Sequence, residues 1–233
     1  MNRTTMNTHA SSVPALPVHL FDVDAELSIV ERRLPHWSQA GAICFITWRT
    51  DDSMPKQVLD AWHSDRNHWL RSHGINPADP NWRARLAEID RRSARDFLDT
   101  FWNRWHDALD AGHGKCVLRR PDLSEIVAKS LCHFDGDRYV LLDYVVMPNH
   151  VHLLASFPGE GAMLAQCESW KHFMAVQINR QLDQKKRFWE QDAFDHLLRS
   201  EEQFHYLRRY IAENAAKARL GPGEFRHYSK PLP

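Results

Sequence analysis

Apolar and polar positions along the chain first indicate three β-strands. Residues 40–50 (AGAICFITWRT) are rich in β-branched and aromatic side chains and predict a first strand. Residues 138–148 (RYVLLDYVVMP) predict a second strand of the same character. Pro148 and Asn149 supply turn chemistry, and residues 150–157 (HVHLLASF) predict the antiparallel partner of the second strand.

Helical spacing of apolar residues accounts for most of the remaining chain. This spacing predicts helices over residues 59–70 and 86–105, and residues 75–82 (INPADPNW) interrupt the pattern between the two helices. Further helices are predicted over residues 119–134, 161–184 and 201–220. Gly221 and Pro222 are expected to end the last helix. The order β, α, α, α, β, β, α, α predicts an α+β fold with an antiparallel sheet.

Composition limits the classes of function. The chain has 233 residues, 43% hydrophobic and 26% charged, with a formal net charge of zero, which is typical of a globular protein. A dedicated nucleic-acid-binding protein is usually more basic, so any contact with nucleic acid must come from local patches. The four cysteines form no C-x-x-C pair, which argues against a thiolate zinc site or a disulfide framework. No signal peptide or membrane span is apparent, and we expect a cytoplasmic, nucleoid-associated protein without membrane contact.

The histidine pair His150 and His152 is the first candidate for chemistry. Side chains alternate across a strand, so the two imidazoles share one face with Leu154. The other face, which can pack on helices, carries Val151, Leu153, Ala155 and Phe157. We therefore expect the imidazoles on the open side of the strand. A shared metal ion would suit two such neighbours, although an H-x-H pair without any role is the alternative. Because position 154 is leucine, a third ligand must come from elsewhere in the chain.

Tyr210 and Asn214 are the second candidate. They lie four residues apart in the last predicted helix and therefore share one of its faces. Asparagine offers a carbonyl oxygen to a hard cation, and tyrosine offers a phenol oxygen. Taken singly, each has a structural alternative: a core aromatic residue for Tyr210 and a polar surface residue for Asn214.

Together these segments resemble the HUH-class single-tyrosine transposases, and more narrowly the REP-associated tyrosine transposases and their insertion-sequence relatives. The resemblance, which includes the CFITWR strand, covers most of residues 33–220. It rests on residues 144–154 (YVVMPNHVHLL), 170–179 (WKHFMAVQIN), 187–204 (RFWEQDAFDHLLRSEEQF) and 210–220 (YIAENAAKARL).

Two departures from the family pattern bear on the structure. Family members commonly read NPVKAGL where this chain has NAAKARL at 214–220, and the loss of proline and glycine predicts that the last helix runs on further. Residues 52–112 look like a helical insertion, which we expect to pack against the core rather than to form a primary DNA site.

The resemblance implies a ferredoxin-like antiparallel sheet with helices packed on it, plus the helical insertion. The implied domains are a flexible N-terminal arm at residues 1–30, an HUH transposase-like domain at 31–221 with the insertion at about 52–112, and a C-terminal tail at 222–233. A monomer or a homodimer is compatible with the family. Neutral charge and the additional helices favour the monomer.

The resemblance also implies a reaction. Tyr210 would attack a phosphodiester in hairpin-bearing (REP-like) single-stranded DNA, giving a 5′-phosphotyrosine and a free 3′-hydroxyl that permit nicking and strand transfer. His150, His152 and Asn214 would hold one Mg²⁺ or Mn²⁺ ion. Two alternatives stay open. One is a catalytically silent hairpin-DNA-binding protein with the same fold, and the other is an unrelated metallohydrolase in which Tyr210 is structural.

Basic and aromatic residues near these segments are candidates for DNA contact. Phosphate contacts from basic side chains would make the affinity fall with salt. Trp170, Phe188 and Trp189 could stack on unpaired bases, but core packing is the alternative for each. The segment 185–187 could equally be a solvated loop. The candidate phosphate-binding residues are Lys171, Lys185, Lys186, Arg187, Arg208 and Arg209.

Overall fold

The computed structural model describes residues 16–31, 35–79, 81–159, 161–191 and 193–231. A short 3-10 turn, Val117–Arg119, precedes the fourth helix. The strands are β1 (Ser28–Glu31), β2 (Pro35–Ser38), β3 (Ile43–Arg49), β4 (Val140–Val146), β5 (His150–Ser156), β6 (Phe194–Leu197) and β7 (Arg226–Ser229). The helices are α1 (Lys56–Ser72), α2 (Trp82–Glu88), α3 (Arg91–Asp110), α4 (Pro121–Cys132), α5 (Ala162–Gln181) and α6 (Glu201–Lys217). This inventory confirms the α+β class.

Five strands form one antiparallel sheet in the order β6-β3-β5-β4-β7, with β5 at its centre. Apart from the insertion between β3 and α4, the elements β3, α4, β4, β5, α5 and β6 follow one another along the chain as the β-α-β-β-α-β unit of ferredoxin-like folds. The sequence patterns predicted the three inner strands but neither edge strand. Each edge strand has only four residues, too few to show a clear alternation, and β7 lies in the segment assigned to a tail.

The two faces of β5 pack as the alternation predicts. Val151 and Leu153 join the hydrophobic core beneath α4 and α5. Leu154, on the face of the two histidines, packs with α6 and with Trp102 of α3. The prediction that the histidine face of β5 is open is wrong, because α6 and the insertion cover this face too.

The last helix ends earlier than predicted. It stops at Lys217, because Arg219 adopts the left-handed conformation with φ 55°. The amide of Leu220 then donates to the carbonyl of Ala215 at 2.9 Å, and the amide of Arg219 donates to that of Ala216 at 3.0 Å. This pair of hydrogen bonds ends the helix in an arrangement that usually has glycine at the left-handed position, and here that position is Arg219.

The insertion forms a helical unit with a small core of its own between α1, α2 and α3. The long helix predicted over residues 86–105 is two helices, since Asp90 accepts a hydrogen bond from the amide of Ser93 and begins α3 there. The start of the insertion lies beside the segment that follows its end, where the Asp52 carboxylate accepts a hydrogen bond from the Lys115 amide at 3.0 Å. Trp102 then packs on Phe45 of β3 with ring centroids 5.7 Å apart, so the insertion packs against the sheet as expected.

The segment assigned to a flexible arm is described only from residue 16 onward, and residues 1–15 lie outside the described part. Its backbone joins the sheet at two points: His19 bonds to Gly41 and Ile43, and the Phe21 amide donates to the carbonyl of Leu198. Among the residues that the structure describes, no helix is both long and apolar enough to cross a membrane.

Candidate active site

The two histidines of β5 are each held through the Nδ1 atom. Strand pairing places Thr47 of β3 opposite His152, and the Thr47 hydroxyl lies 2.7 Å from Nδ1 of that ring. Nδ1 of His150 lies 2.7 Å from the amide oxygen of its neighbour Asn149. The Nε2 atom of each ring is left to face the helices that cover the sheet.

Burial sets the protonation of both imidazoles. His150 and His152 are 0% exposed, with ring centroids 4.6 Å apart. Burial lowers the pKa of His150 to about 3, and it holds the pKa of His152 well below its usual range. Both rings are therefore neutral near pH 7, which is the form that binds a metal ion.

Asp110, the last residue of α3, completes a group that sequence patterns did not predict. Its carboxylate oxygen lies 3.6 Å from Nε2 of His150, and one ligand atom each from Asp110, His150 and His152 lie within 4.8 Å of one another. Because His150 is neutral, this approach is not an ion pair. Burial raises the pKa of Asp110 to about 6, and Lys217, 3.5 Å away, works in the opposite direction.

Unsatisfied polar atoms concentrate in this group. Of eight buried side-chain nitrogen and oxygen atoms without a hydrogen bond among the described residues, six belong to His106, Asp110, His150 and Asn214. Buried polar atoms in native proteins nearly always have partners, so this cluster is a candidate site for a bound cation. Imidazole nitrogen, carboxylate oxygen and amide oxygen are a donor set that fits a divalent cation such as Mn²⁺, Mg²⁺ or Zn²⁺.

Tyr210 lies beside this group, on α6. Its hydroxyl is 3.3 Å from Nε2 of His152. Burial raises the pKa of Tyr210, and the nearby Asp110 carboxylate raises it further, whereas the Asn214 amide lowers it. The phenol is therefore protonated at neutral pH. The structure places Tyr210 of α6 beside the histidine pair and adds the Asp110 carboxylate, while the predicted roles of Tyr210 and Asn214 stay predictions.

His106, also from α3, covers the site. Its ring centroid lies 5.4 Å from that of His152 and 5.6 Å from that of Tyr210. Its Nδ1 lies 2.8 Å from the carbonyl oxygen of Trp102, and burial lowers its pKa to about 4. No sequence signal distinguished His106 or Asp110, because the spacing of α3 indicates only packing. Asn149, in contrast, could have been noticed as the immediate neighbour of His150.

Three of the basic residues predicted to contact DNA have protein partners: Lys171, Arg187 and Arg208. Lys171 of α5, on the opposite face of the sheet, donates to the carbonyls of Glu190 and Gln191 at 2.6 Å each. The Arg187 guanidinium pairs with Asp51, with Nε 2.8 Å from the carboxylate. Their predicted DNA contacts stay predictions.

The other predicted DNA-contact residues differ in exposure. Lys185, Lys186 and Arg209 are exposed, whereas Arg208 is partly buried. For the three aromatic residues the structure shows core packing, the alternative to base stacking. Trp170, Phe188 and Trp189 are at most 5% exposed and belong to the hydrophobic core under α4 and α5.

Arg208 has a structural partner whose loss we expect to be costly. Its Nε donates to the Asp143 carboxylate at 2.9 Å, and that carboxylate is only 1% exposed. Arg208→Ala would leave a buried charge unpaired and should lower the free energy of unfolding by about 3 kcal/mol. Urea denaturation measures this loss, with the exposed neighbour Arg209→Ala as control, expected within about 0.5 kcal/mol of the parent protein. Equal stability of the two variants would contradict a structural role for the Arg208–Asp143 pair.

Comparisons with known proteins gave a distant structural likeness. No protein-family model matches the chain, and no curated protein matches it. Among solved structures, the fold of this chain is similar to the structure of a REP-associated tyrosine transposase bound to a REP hairpin. The two share 14% sequence identity with a TM-score of 0.42, over 81% of this chain and 73% of the other. A likeness this distant carries no argument about activity or substrate.

Proposed function

We propose that the protein nicks and rejoins single-stranded DNA through a covalent phosphotyrosine bond to Tyr210. One observation carries the proposal: the Tyr210 hydroxyl lies 3.3 Å from His152, a member of the buried group that fits a divalent cation. A tyrosine in such a position can attack a phosphate that the cation orients. The sequence resemblance to single-tyrosine transposases favours the same chemistry.

The proposed cleavage exchanges one phosphoester for another. A bond forms between the phenol oxygen of Tyr210 and the phosphorus, and the bond from phosphorus to the 3′ oxygen breaks. The phenol proton is released, and the departing 3′ oxygen takes up a proton to become a free 3′-hydroxyl. The 5′ phosphate stays on tyrosine, so the energy of the phosphodiester is retained and the step can run backwards to join strands.

The candidate metal ligands are His150, His152 and Asp110, with the Asn214 amide oxygen as a further donor. A divalent cation, when bound there, would polarise the phosphoryl oxygens and offset charge on the attacking and leaving oxygens. The chain itself excludes water from this region, because both imidazoles are fully buried. It also keeps Tyr210 protonated at neutral pH, since burial raises the pKa of the phenol.

A labelled hairpin oligonucleotide tests the proposal. Protein and Mn²⁺ are incubated with a single strand that carries a hairpin and is radiolabelled at its 3′ end, and the products are separated on a denaturing gel. We expect the 3′ label to migrate with the protein and a 5′ label on the same strand to be released. Cleavage without any covalent product would indicate a metallohydrolase, and binding without cleavage would indicate a silent DNA-binding protein.

The form of the DNA should matter strongly. A tyrosine in a recessed site needs a phosphate whose neighbouring bases are splayed, and unpairing a duplex costs a few kcal/mol. We expect hairpin-flanked single strands to bind most tightly, linear single strands less tightly and duplex least, with affinity falling steeply as salt rises. Competition binding at two salt concentrations measures the order. Equal affinity for all three forms would contradict the proposed substrate.

A further inference from the structure

Asn149 lies between the histidine pair and the end of the insertion. It is 1% exposed, at the turn between β4 and β5. Its amide nitrogen donates to the carbonyl of Leu109 at 3.3 Å and to that of His113 at 3.0 Å. Its amide oxygen lies 2.7 Å from Nδ1 of His150. One side chain thus connects the C-terminal end of α3 to a candidate metal ligand.

The two carbonyls fix which way the amide points. If the amide were reversed, its oxygen would face the carbonyl oxygens of Leu109 and His113, and neither contact could be a hydrogen bond. The oxygen must therefore face His150. An amide oxygen only accepts hydrogen bonds, so Nδ1 of the neutral imidazole carries the proton. Nε2 of His150 is then left with its lone pair, and it lies 3.6 Å from the carboxylate of Asp110.

We propose that Asn149 is a positioning residue: held by the carbonyls of Leu109 and His113, it fixes the Nδ1–H tautomer of His150 and presents the Nε2 lone pair to a metal ion. The tautomer part stands on hydrogen bonding alone, and only the metal part rests on the proposed function. Partners of this kind are common around metal-binding histidines, where they fix ring orientation and basicity. The insertion then serves the site twice, through Asp110 and through the carbonyls that hold Asn149.

The turn itself does not depend on the Asn149 side chain. The backbone carbonyl of Asn149 accepts from the Thr50 amide at 2.8 Å, and the carbonyl of Pro148 accepts from the Leu118 amide at 3.1 Å. Shortening the side chain leaves both bonds in place. Asn149→Ala is therefore expected to fold, which thermal melting can verify.

Nitrogen NMR of the metal-free protein tests the tautomer directly. Long-range ¹H–¹⁵N spectra of ¹⁵N-histidine-labelled protein distinguish Nδ1–H from Nε2–H imidazoles, and His150→Gln assigns the signal. We expect His150 as Nδ1–H in the parent protein and a shift towards Nε2–H in Asn149→Ala. Asn103→Ala, at an exposed position of α3, is the control and should change nothing.

Two results would overturn the positioning role: an Nε2–H His150 in the parent protein, or an unchanged Nδ1–H signal in Asn149→Ala. The parent spectrum is decisive even where a variant folds poorly. Calorimetric titration with Mn²⁺ tests whether Asn149 also supports metal binding by His150. We expect Asn149→Ala to weaken Mn²⁺ binding by about 10- to 100-fold. Unchanged Mn²⁺ affinity would overturn that part. None of these readouts requires DNA cleavage, so a failure of the proposed nicking activity is distinguishable from a failure of this inference.

Discussion

Tyr210→Phe should fold and bind hairpin DNA as the parent protein does, yet form covalent protein–DNA product at least about 1,000-fold more slowly. The substitution removes one oxygen atom and keeps the ring that packs against Phe45 and His106. Because that oxygen is the proposed nucleophile, no other part of the site can replace it. Single-turnover kinetics with labelled hairpin strand and Mn²⁺ measure the loss.

Tyr206 provides the matched control, one helical turn earlier on α6 and 48% exposed. Tyr206→Phe should form the covalent product at the parent rate. The assignment of the nucleophile is wrong if Tyr206→Phe loses the product while Tyr210→Phe keeps it.

Loss of a candidate ligand should have the second large effect. His150→Ala, His152→Ala and Asp110→Asn should each weaken Mn²⁺ binding by more than about 100-fold and abolish cleavage. This loss exceeds the one typical of residues that only hydrogen-bond to a metal ligand. Asn214→Ala should weaken both less, because a water molecule can replace an amide oxygen. Calorimetric titration with Mn²⁺ measures the affinities.

Asp107 supplies the control for Asp110. It lies on the same helix, its side chain is 63% exposed, and it contacts the same lysine, Lys217, at 3.1 Å. Asp107→Asn should leave Mn²⁺ affinity and cleavage near the parent values. If both histidine variants bind Mn²⁺ as the parent does, the metal site lies elsewhere in the chain.

The inner sheet and one half of the site could be predicted from the sequence because both depend on local patterns. Alternation along β5 places His150 and His152 on one face, and spacing along α6 places Tyr210 and Asn214 on one face. Packing β5 against α6 then brings the two pairs together. Both patterns act within a single element and need no knowledge of distant contacts.

The other half of the site depends on contacts between distant segments. Asp110 reaches His150 only because the insertion folds back over the sheet, where Trp102 packs on Phe45. Nothing in the periodicity of α3 separates an acidic side chain that points to solvent from one that points to a metal site. The same coverage explains why histidines expected on an open face are fully buried. The sequence predicted only a packing role for the insertion. Removing the insertion would also remove Asp110, a candidate metal ligand.

Peptide mapping of the covalent product tests the proposed nucleophile most directly. The protein is incubated with hairpin-bearing single-stranded DNA and Mn²⁺, digested with protease and nuclease, and analysed by tandem mass spectrometry. The predicted result is a nucleotide attached through its 5′ phosphate to Tyr210, in a peptide that also contains Asn214. A nucleotide on any other residue, or unmodified Tyr210 in protein that has cleaved the DNA, would contradict catalysis by this tyrosine.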